Sequence, residues 1–104
     1  MRALLVSLIA MWALLAPALA ADHVVDQKDM TFFPAEITVA AGDTIKFTNS
    51  DRTAHHLWTK DNGVNLSSPS LKPGESYEFK FTKAGSYTIK CQIHPKMKLI
   101  VTVK

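Results

Sequence analysis

Apolar and polar residues alternate along much of the chain between residues 37 and 103. A period of two places apolar side chains on one face of an extended strand and polar side chains on the other. The pattern predicts strands at 37–39, 44–47, 77–81, 87–91 and 99–103, with weaker candidates at 23–26 and 56–59. Beyond residue 20, no segment repeats its apolar residues at helical spacing for long enough to predict a helix.

Turn-forming residues separate these runs. Gly, Pro, Asp and Asn cluster at 41–43, 61–63, 72–74 and 83–86, and this spacing is typical of an antiparallel sandwich or barrel. We therefore predict an all-β domain in which two small sheets pack face to face. The expected core residues are Phe33, Ile37, Val39, Ile45, Phe47, Phe79, Phe81, Tyr87, Ile89 and Ile100.

The first twenty residues follow a different pattern. Arg2 supplies a positive start, residues 3–15 are almost continuously apolar, and the small residues Ala18 and Ala20 stand three positions and one position before the cleavage point. This arrangement predicts a signal peptide, residues 1–20, cleaved after Ala20. A retained membrane anchor is the alternative, but the apolar run is short for a bilayer and Pro17 interrupts it. The mature domain, residues 21–104, is expected in an exported compartment, the periplasm, without stable membrane insertion.

Length and charge restrict the function of this mature domain. Its 84 residues permit one small core, which excludes a multi-domain enzyme. It carries 11 Lys or Arg against 9 Asp or Glu, a net charge of +2. Such a small and scattered charge gives no support for binding to nucleic acid.

Three potential metal ligands lie within seven residues near the C-terminus. Cys91, His94 and Met97 follow an apparent strand, and Cys91 is the only cysteine of the chain, so no intramolecular disulfide can form. Taken singly, each has an ordinary explanation: a buried thiol, a surface imidazole and an apolar core residue. Together, at this spacing, a thiolate, an imidazole and a thioether predict a metal site.

Other chemistries fit these residues less well. Structural zinc sites use four Cys or His ligands and rarely Met, whereas copper accepts a thioether. Covalent haem attachment needs two cysteines. A nucleophilic thiol remains conceivable, although ligands on one short loop suit a metal better than an attacking group with a separate base. A blue-copper site needs a second histidine, and His55 or His56 could supply it; strand alternation allows only one of the two to reach the metal.

At this point the sequence resembles the cupredoxins, the small blue-copper proteins that include plastocyanin and amicyanin. The resemblance covers residues 33–39, residues 41–49, His55 and residues 84–97. The spacing of Cys91, His94 and Met97, with Pro95 directly after the histidine, is similar to the short ligand loop of amicyanin. The resemblance implies a small antiparallel Greek-key β-sandwich with one type 1 copper ion per chain.

The resemblance also implies a role for individual residues. It makes His55, Cys91 and His94 the equatorial ligands and Met97 the weak axial ligand. It selects His55 over His56 because the family places its ligand six residues after an asparagine, here Asn49, which helps to pin the two ligand loops together. In the family the backbone amide of the residue after the ligand points at the cysteine sulfur. His56 occupies that position.

The expected function is that of a soluble electron carrier and not of an enzyme. The alternative is a copper-delivery protein, which the absence of Met-rich or His-rich tracts disfavours. Transient redox partners such as a dehydrogenase, a cytochrome c or an oxidase are expected, and the protein itself is expected to be a monomer. Ile93, Leu57 and Trp58 could form an apolar docking patch near an exposed His94, although Leu57 and Trp58 could equally be core residues.

Overall fold

The computed structural model describes residues 20–92 and 96–104. Residues 1–19 of the predicted signal peptide and the predicted ligand His94 therefore lie outside the described residues. The described residues form nine strands and one short 3-10 turn at Asp61–Gly63. The strands are β1 Asp22–Lys28, β2 Thr31–Phe33, β3 Glu36–Val39, β4 Asp43–Asn49, β5 Leu57–Thr59, β6 Leu66–Ser67, β7 Ser76–Phe81, β8 Gly85–Cys91 and β9 Lys98–Val103.

The strands form two sheets. One has four strands in the order β2-β1-β4-β7, and the other has five in the order β3-β9-β8-β5-β6. The predicted all-β sandwich is confirmed. The sheets are mixed, because β1 pairs with β4 in parallel and β3 pairs with β9 in parallel, while the other strand pairs are antiparallel. Both parallel pairs join an N-terminal strand to a strand later in the chain, so local alternation could not predict their direction.

One buried cluster joins the inner faces of both sheets, as expected for a sandwich. In β4, Ile45 and Phe47 point inward, whereas Lys46 is exposed. In β8, Tyr87, Ile89 and Cys91 point inward in the same way. The predicted alternation therefore selects the core face of both central strands.

Two predicted core residues lie on the wrong face. Phe33 is 75% exposed, and its neighbour Phe32 is buried instead. Ile100 is half-buried on the outer face of β9, while Leu99 and Val101 fill the core. Because side chains alternate along a strand, an error of one position reverses the face of every residue in it. Val39, Ile45, Phe47, Phe81, Tyr87 and Ile89 are buried as predicted, and Ile37 and Phe79 are partly buried.

Two short strands, β2 and β6, were not predicted from the sequence. Their three and two residues are too few to show an alternation. Within the described residues, no helix is long and apolar enough to cross a membrane.

Asp43 joins the start of the domain to the start of β4. Its Oδ1 accepts a hydrogen bond from the Ala21 amide at 2.9 Å. Its Oδ2 accepts from the Ala40 amide at 3.0 Å and lies 2.9 Å from Nε2 of His23. The bond from Ala21, followed by those from His23 and Ala40, lowers the pKa of Asp43 from 3.8 to about 2.

We expect Asp43→Asn to unfold more easily than the parent protein at neutral pH. Because the folded-state pKa lies below the unfolded value, the carboxylate stabilises the fold fully above about pH 4. That contribution is lost as the pH falls towards about 2. Urea unfolding across this range should therefore show a difference from the parent that shrinks on acidification. The control is Asp22→Asn, which removes the same charge at an exposed position of the neighbouring strand β1. A difference that persists unchanged at acid pH would contradict this role.

Candidate metal centre

Cys91 lies fully buried at the end of β8, which runs between the strands β9 and β5. It is the last residue of β8, it pairs with Leu57 of β5, and it has no exposed surface. The ladder between β8 and β9 pairs Lys90 with Lys98. Cys91 and Met97 are the next residues of their segments beyond this pair, and Met97 is also buried, at 2% exposure. Two predicted ligands therefore lie at the same end of the five-stranded sheet.

His55 approaches this sulfur from a different segment. Its backbone forms an isolated bridge with Leu71, with hydrogen bonds of 3.0 and 2.7 Å in the two directions. This bridge holds His55 just before β5, and its side chain is fully buried. Nδ1 of His55 lies 3.4 Å from Sγ of Cys91. The fold thus brings together two residues separated by 36 positions in the sequence.

Asp51 orients the His55 ring from the opposite side. Nε2 of His55 lies 3.0 Å from Oδ2 of Asp51. A carboxylate only accepts hydrogen bonds, so this contact places the ring proton on Nε2 and leaves the lone pair of Nδ1 directed at the sulfur. The pKa of Asp51 is lowered, chiefly by the Met30 amide, which donates to the same oxygen at 2.9 Å. Burial opposes this effect, and the His55 bond adds to it. The sequence analysis did not identify Asp51, although an acidic residue four positions before a candidate histidine ligand could have indicated a hydrogen-bond partner for its ring.

His56 contacts the sulfur through its backbone and not through its ring. Its amide nitrogen lies 3.5 Å from Sγ of Cys91, which confirms the amide contact expected from the resemblance. Its carbonyl accepts a hydrogen bond from the Gln92 amide at 2.8 Å. Its ring is half-buried and lies 3.4 Å from Oγ of Ser67. The two neighbouring histidines therefore point in different directions, with only the His55 ring beside Cys91.

Asn49 holds the His55 segment in place. Its side-chain amide donates to the carbonyls of Thr53, at 3.0 Å, and Leu71, at 2.9 Å, and its Oδ1 accepts from the Asp51 amide at 2.8 Å. These bonds brace the segment that carries His55 against the segment that carries Leu71. Among the described residues, the His55 and Cys91 segments are joined instead by the His56–Gln92 backbone bond and by the contacts of His55 and His56 with the Cys91 sulfur. The resemblance implied that Asn49 pins the two ligand loops together, whereas its described hydrogen bonds join the His55 segment to the Leu71 segment.

The donor set of the described residues suits copper. A thiolate and an imidazole, both withdrawn from solvent, are ligands that copper accepts, and a buried thioether lies at the adjoining position. The described residues contain no group of three or more His, Cys, Asp or Glu side chains that could hold a metal ion. Met97 adds a thioether, which is not one of these four types. Zinc rarely takes a thioether ligand and copper accepts one, so a buried methionine near these two residues favours copper.

The family comparison identifies the domain. The model of the cupredoxin-like domain matches residues 2–103. The chain belongs to the cupredoxin-like family. Copper, one ion per chain, is accordingly the cofactor of the cupredoxin that this sequence encodes, as the sequence predicted.

Individual relatives agree with this assignment. A putative pseudoazurin of Rhizobium leguminosarum bv. viciae is 31% identical over 109 residues, which cover 97% of this chain and 71% of the relative. The cupredoxin also matches amicyanins and plastocyanins, of which it spans between 53% and 92% of the length. Several of these relatives are therefore considerably longer than this chain.

Solved structures share the fold. A Cu(I) form of an amicyanin variant superposes with a TM-score of 0.73 at 29% identity, covering 88% of this chain and 89% of the amicyanin. The Cu-containing nitrite reductase of Thermus scotoductus SA-01 also gives a TM-score of 0.73 at 29% identity, but only 23% of that enzyme is covered. The cupredoxin thus superposes on most of an amicyanin and on less than a quarter of a larger enzyme.

Truncating Asn49 tests the bracing of the His55 segment. We expect Asn49→Ala to lower the free energy of unfolding by about 1–3 kcal/mol, because the buried Asn49 side chain loses its hydrogen bonds to Thr53, Leu71 and Asp51. Urea denaturation of the copper-free protein measures this loss without any contribution from metal binding. Asn65→Ala removes an exposed amide and should change stability by less than about 0.5 kcal/mol. Equal losses in the two variants would refute the bracing role.

Proposed function

We propose that this cupredoxin is an exported type 1 copper protein that carries one electron at a time between redox partners. The observation that supports it most directly is the 3.4 Å approach of His55 Nδ1 to Cys91 Sγ, both fully buried. We propose His55, Cys91, His94 and Met97 as the ligands. His94 lies outside the described residues, so its place in this set rests on the loop spacing.

The protein's part in electron transfer would be to hold its ligands still. Bound copper would supply the one-electron couple between its two oxidation states. Asp51 keeps the His55 ring in one tautomer and one orientation, and the His56 amide stabilises negative charge on the Cys91 sulfur. The bridge to Leu71 and the β8–β9 ladder hold both ligand segments on the sandwich. A site that moves little when the charge changes favours rapid electron exchange.

A copper-delivery role is the second candidate, and an enzymatic role is the third. Burial of Cys91 and His55 disfavours delivery, because release of the ion would require both to become accessible. The copper-containing nitrite reductase neighbour raises the enzymatic alternative. Within residues 20–92 and 96–104, however, no group of three or more His, Cys, Asp or Glu side chains is placed to hold a metal ion, so nothing there supports a further copper centre. The proposal is therefore a carrier and not an enzyme.

Export to the periplasm is part of this proposal. It rests on residues 1–20 and is supported by the position of Ala21, whose nitrogen lies 2.9 Å from the Asp43 carboxylate. Cleavage after Ala20 would turn this nitrogen into a positively charged amino terminus and strengthen the contact. The mature protein, residues 21–104, would then act as a monomer that meets its partners transiently. A dehydrogenase, a cytochrome c or an oxidase would be suitable partners.

Reconstitution with copper(II) tests the proposed site. We expect an intense blue absorption and a higher stability of the folded state, because copper binds the folded site and not the unfolded chain. At a free copper concentration of 100 times the dissociation constant, the gain is about 2.7 kcal/mol. Visible spectroscopy and urea unfolding with and without copper measure both effects. Cys91→Ser is the control and should lose the blue colour; a colourless wild-type protein would rule out the type 1 site.

Replacing the two neighbouring histidines separately tests the ligand assignment. We expect His55→Ala to abolish the blue absorption and His56→Ala to retain it, because only the His55 ring faces Cys91. Both substitutions remove an imidazole, so each serves as the control for the other. The reverse result would assign His56 as the ligand and exclude His55.

A further inference from the structure

The outer face of the five-stranded sheet carries a tryptophan surrounded by lysines. In register across the sheet, Trp58 of β5 pairs with Lys90 of β8, and Lys90 pairs with Lys98 of β9. Lys60 follows β5 and lines the same surface hollows as Trp58. We refer to Trp58, Lys60, Lys90 and Lys98 as the lysine face.

The charge of the lysine face is unbalanced. Strands β5, β6, β8 and β9 contain Lys90 and Lys98 but no Asp or Glu. The edge strand β3 adds one exposed acid, Glu36, which pairs with Ile100 of β9. Asp61 is the acid that lines a hollow on this face, and its carboxylate accepts a hydrogen bond from the Thr88 amide at 2.6 Å. The four-stranded sheet differs, because its strands carry four acids and three lysines: Asp22, Asp26, Asp43 and Glu78 with Lys28, Lys46 and Lys80.

The lysine face also reaches the candidate metal centre. One hollow is lined by Trp58, Lys90, Cys91 and Gln92, so the proposed thiolate ligand lies beneath the same surface. Leu57, the other residue considered for docking, is fully buried and belongs to the core. Trp58 is half-buried and presents its side chain among the lysines. Aromatic residues of this kind are enriched at the centres of protein interfaces, with charged residues around them.

We infer that the lysine face is the docking surface for an acidic redox partner protein. Carboxylates on that partner would pair with Lys60, Lys90 and Lys98, while an apolar group packs on Trp58. Docking here places the partner beside Cys91. This inference rests on the proposed carrier function and adds to it the surface used and the charge of the partner. Complementary charge would accelerate the encounter and make its rate depend on salt.

Paramagnetic mapping tests where negative charge binds. Hexacyanochromate(III), a redox-inert anion, is added to the copper(I) protein and amide and indole NMR signals are recorded. We expect broadening of the Trp58 indole signal and of the Thr88 and Ile100 amides. Tris(ethylenediamine)chromium(III), a cation, should leave these signals sharp. Broadening by the cation at this face, broadening by the anion only elsewhere, or no broadening by either complex would overturn the inference.

Charge reversal then tests whether the lysine face directs electron transfer. Lys90→Glu/Lys98→Glu is compared with Lys80→Glu/Lys104→Glu, a control with the same change in net charge at exposed positions away from this face. Oxidation of the copper(I) protein by hexacyanoferrate(III) is followed by stopped-flow absorption. At low ionic strength we expect the first variant to react about tenfold more slowly than the control, with the difference shrinking in high salt. Equal rates would overturn the inference.

Two further measurements keep these outcomes separable. The visible spectrum of each variant shows whether its copper site is intact, and Lys60→Gln/Lys98→Gln replaces the first variant if the Lys90 change disturbs folding. If even the unchanged protein exchanges no electrons with hexacyanoferrate(III), the carrier function fails, and the NMR mapping still decides whether the lysine face binds anions. If the protein exchanges electrons but the lysine variants match the control, only the docking surface fails.

Discussion

The close approach of the Cys91 sulfur and the His55 imidazole is the contact on which the rest of the site depends. Both side chains are fully buried, and their donor atoms lie 3.4 Å apart. Burying two polar groups costs free energy unless each has a partner, so the surrounding structure must satisfy them. The His56 amide contacts the sulfur, and the Asp51 carboxylate contacts the far side of the ring. The site is thus a small polar network enclosed by an apolar core.

The sandwich keeps this network rigid by holding each segment through backbone bonds. Leu71 bridges the backbone of His55, and Asn49 connects Leu71 to the turn that follows β4. On the other side, the β8–β9 ladder ends with the pair Lys90–Lys98, next to Cys91 and Met97 in the chain. A preorganised set of ligands is what rapid one-electron exchange requires, because little of the structure then has to move.

The two sheets divide the remaining tasks. The four-stranded sheet contributes Asn49 and, through Asp43, ties the start of the domain to the fold. The five-stranded sheet carries Cys91 on its inner face and the lysine face on its outer face. Consecutive residues of a strand point to opposite faces, so Lys90 lies on the outer surface of β8 while the adjacent Cys91 lies in the interior. This placement gives a partner on the outer face direct proximity to the proposed ligand.

The sequence alone determined the type of fold and the chemistry of the site. Alternation identified the long strands, and Cys91, His94 and Met97 lie close enough in sequence for their spacing to indicate a metal. Alternation left His55 and His56 open and the family resemblance favoured His55; the tertiary structure shows that the His55 ring lies beside the sulfur, held there by the bridge to Leu71. It also decided the faces of Phe32 and Phe33 and the parallel strand pairs. The spacing of residues in the sequence indicates which side chains of one loop can lie together. The position of the His55 ring, the faces of Phe32 and Phe33 and the parallel pairs depend instead on segments that meet only when the sheets pack.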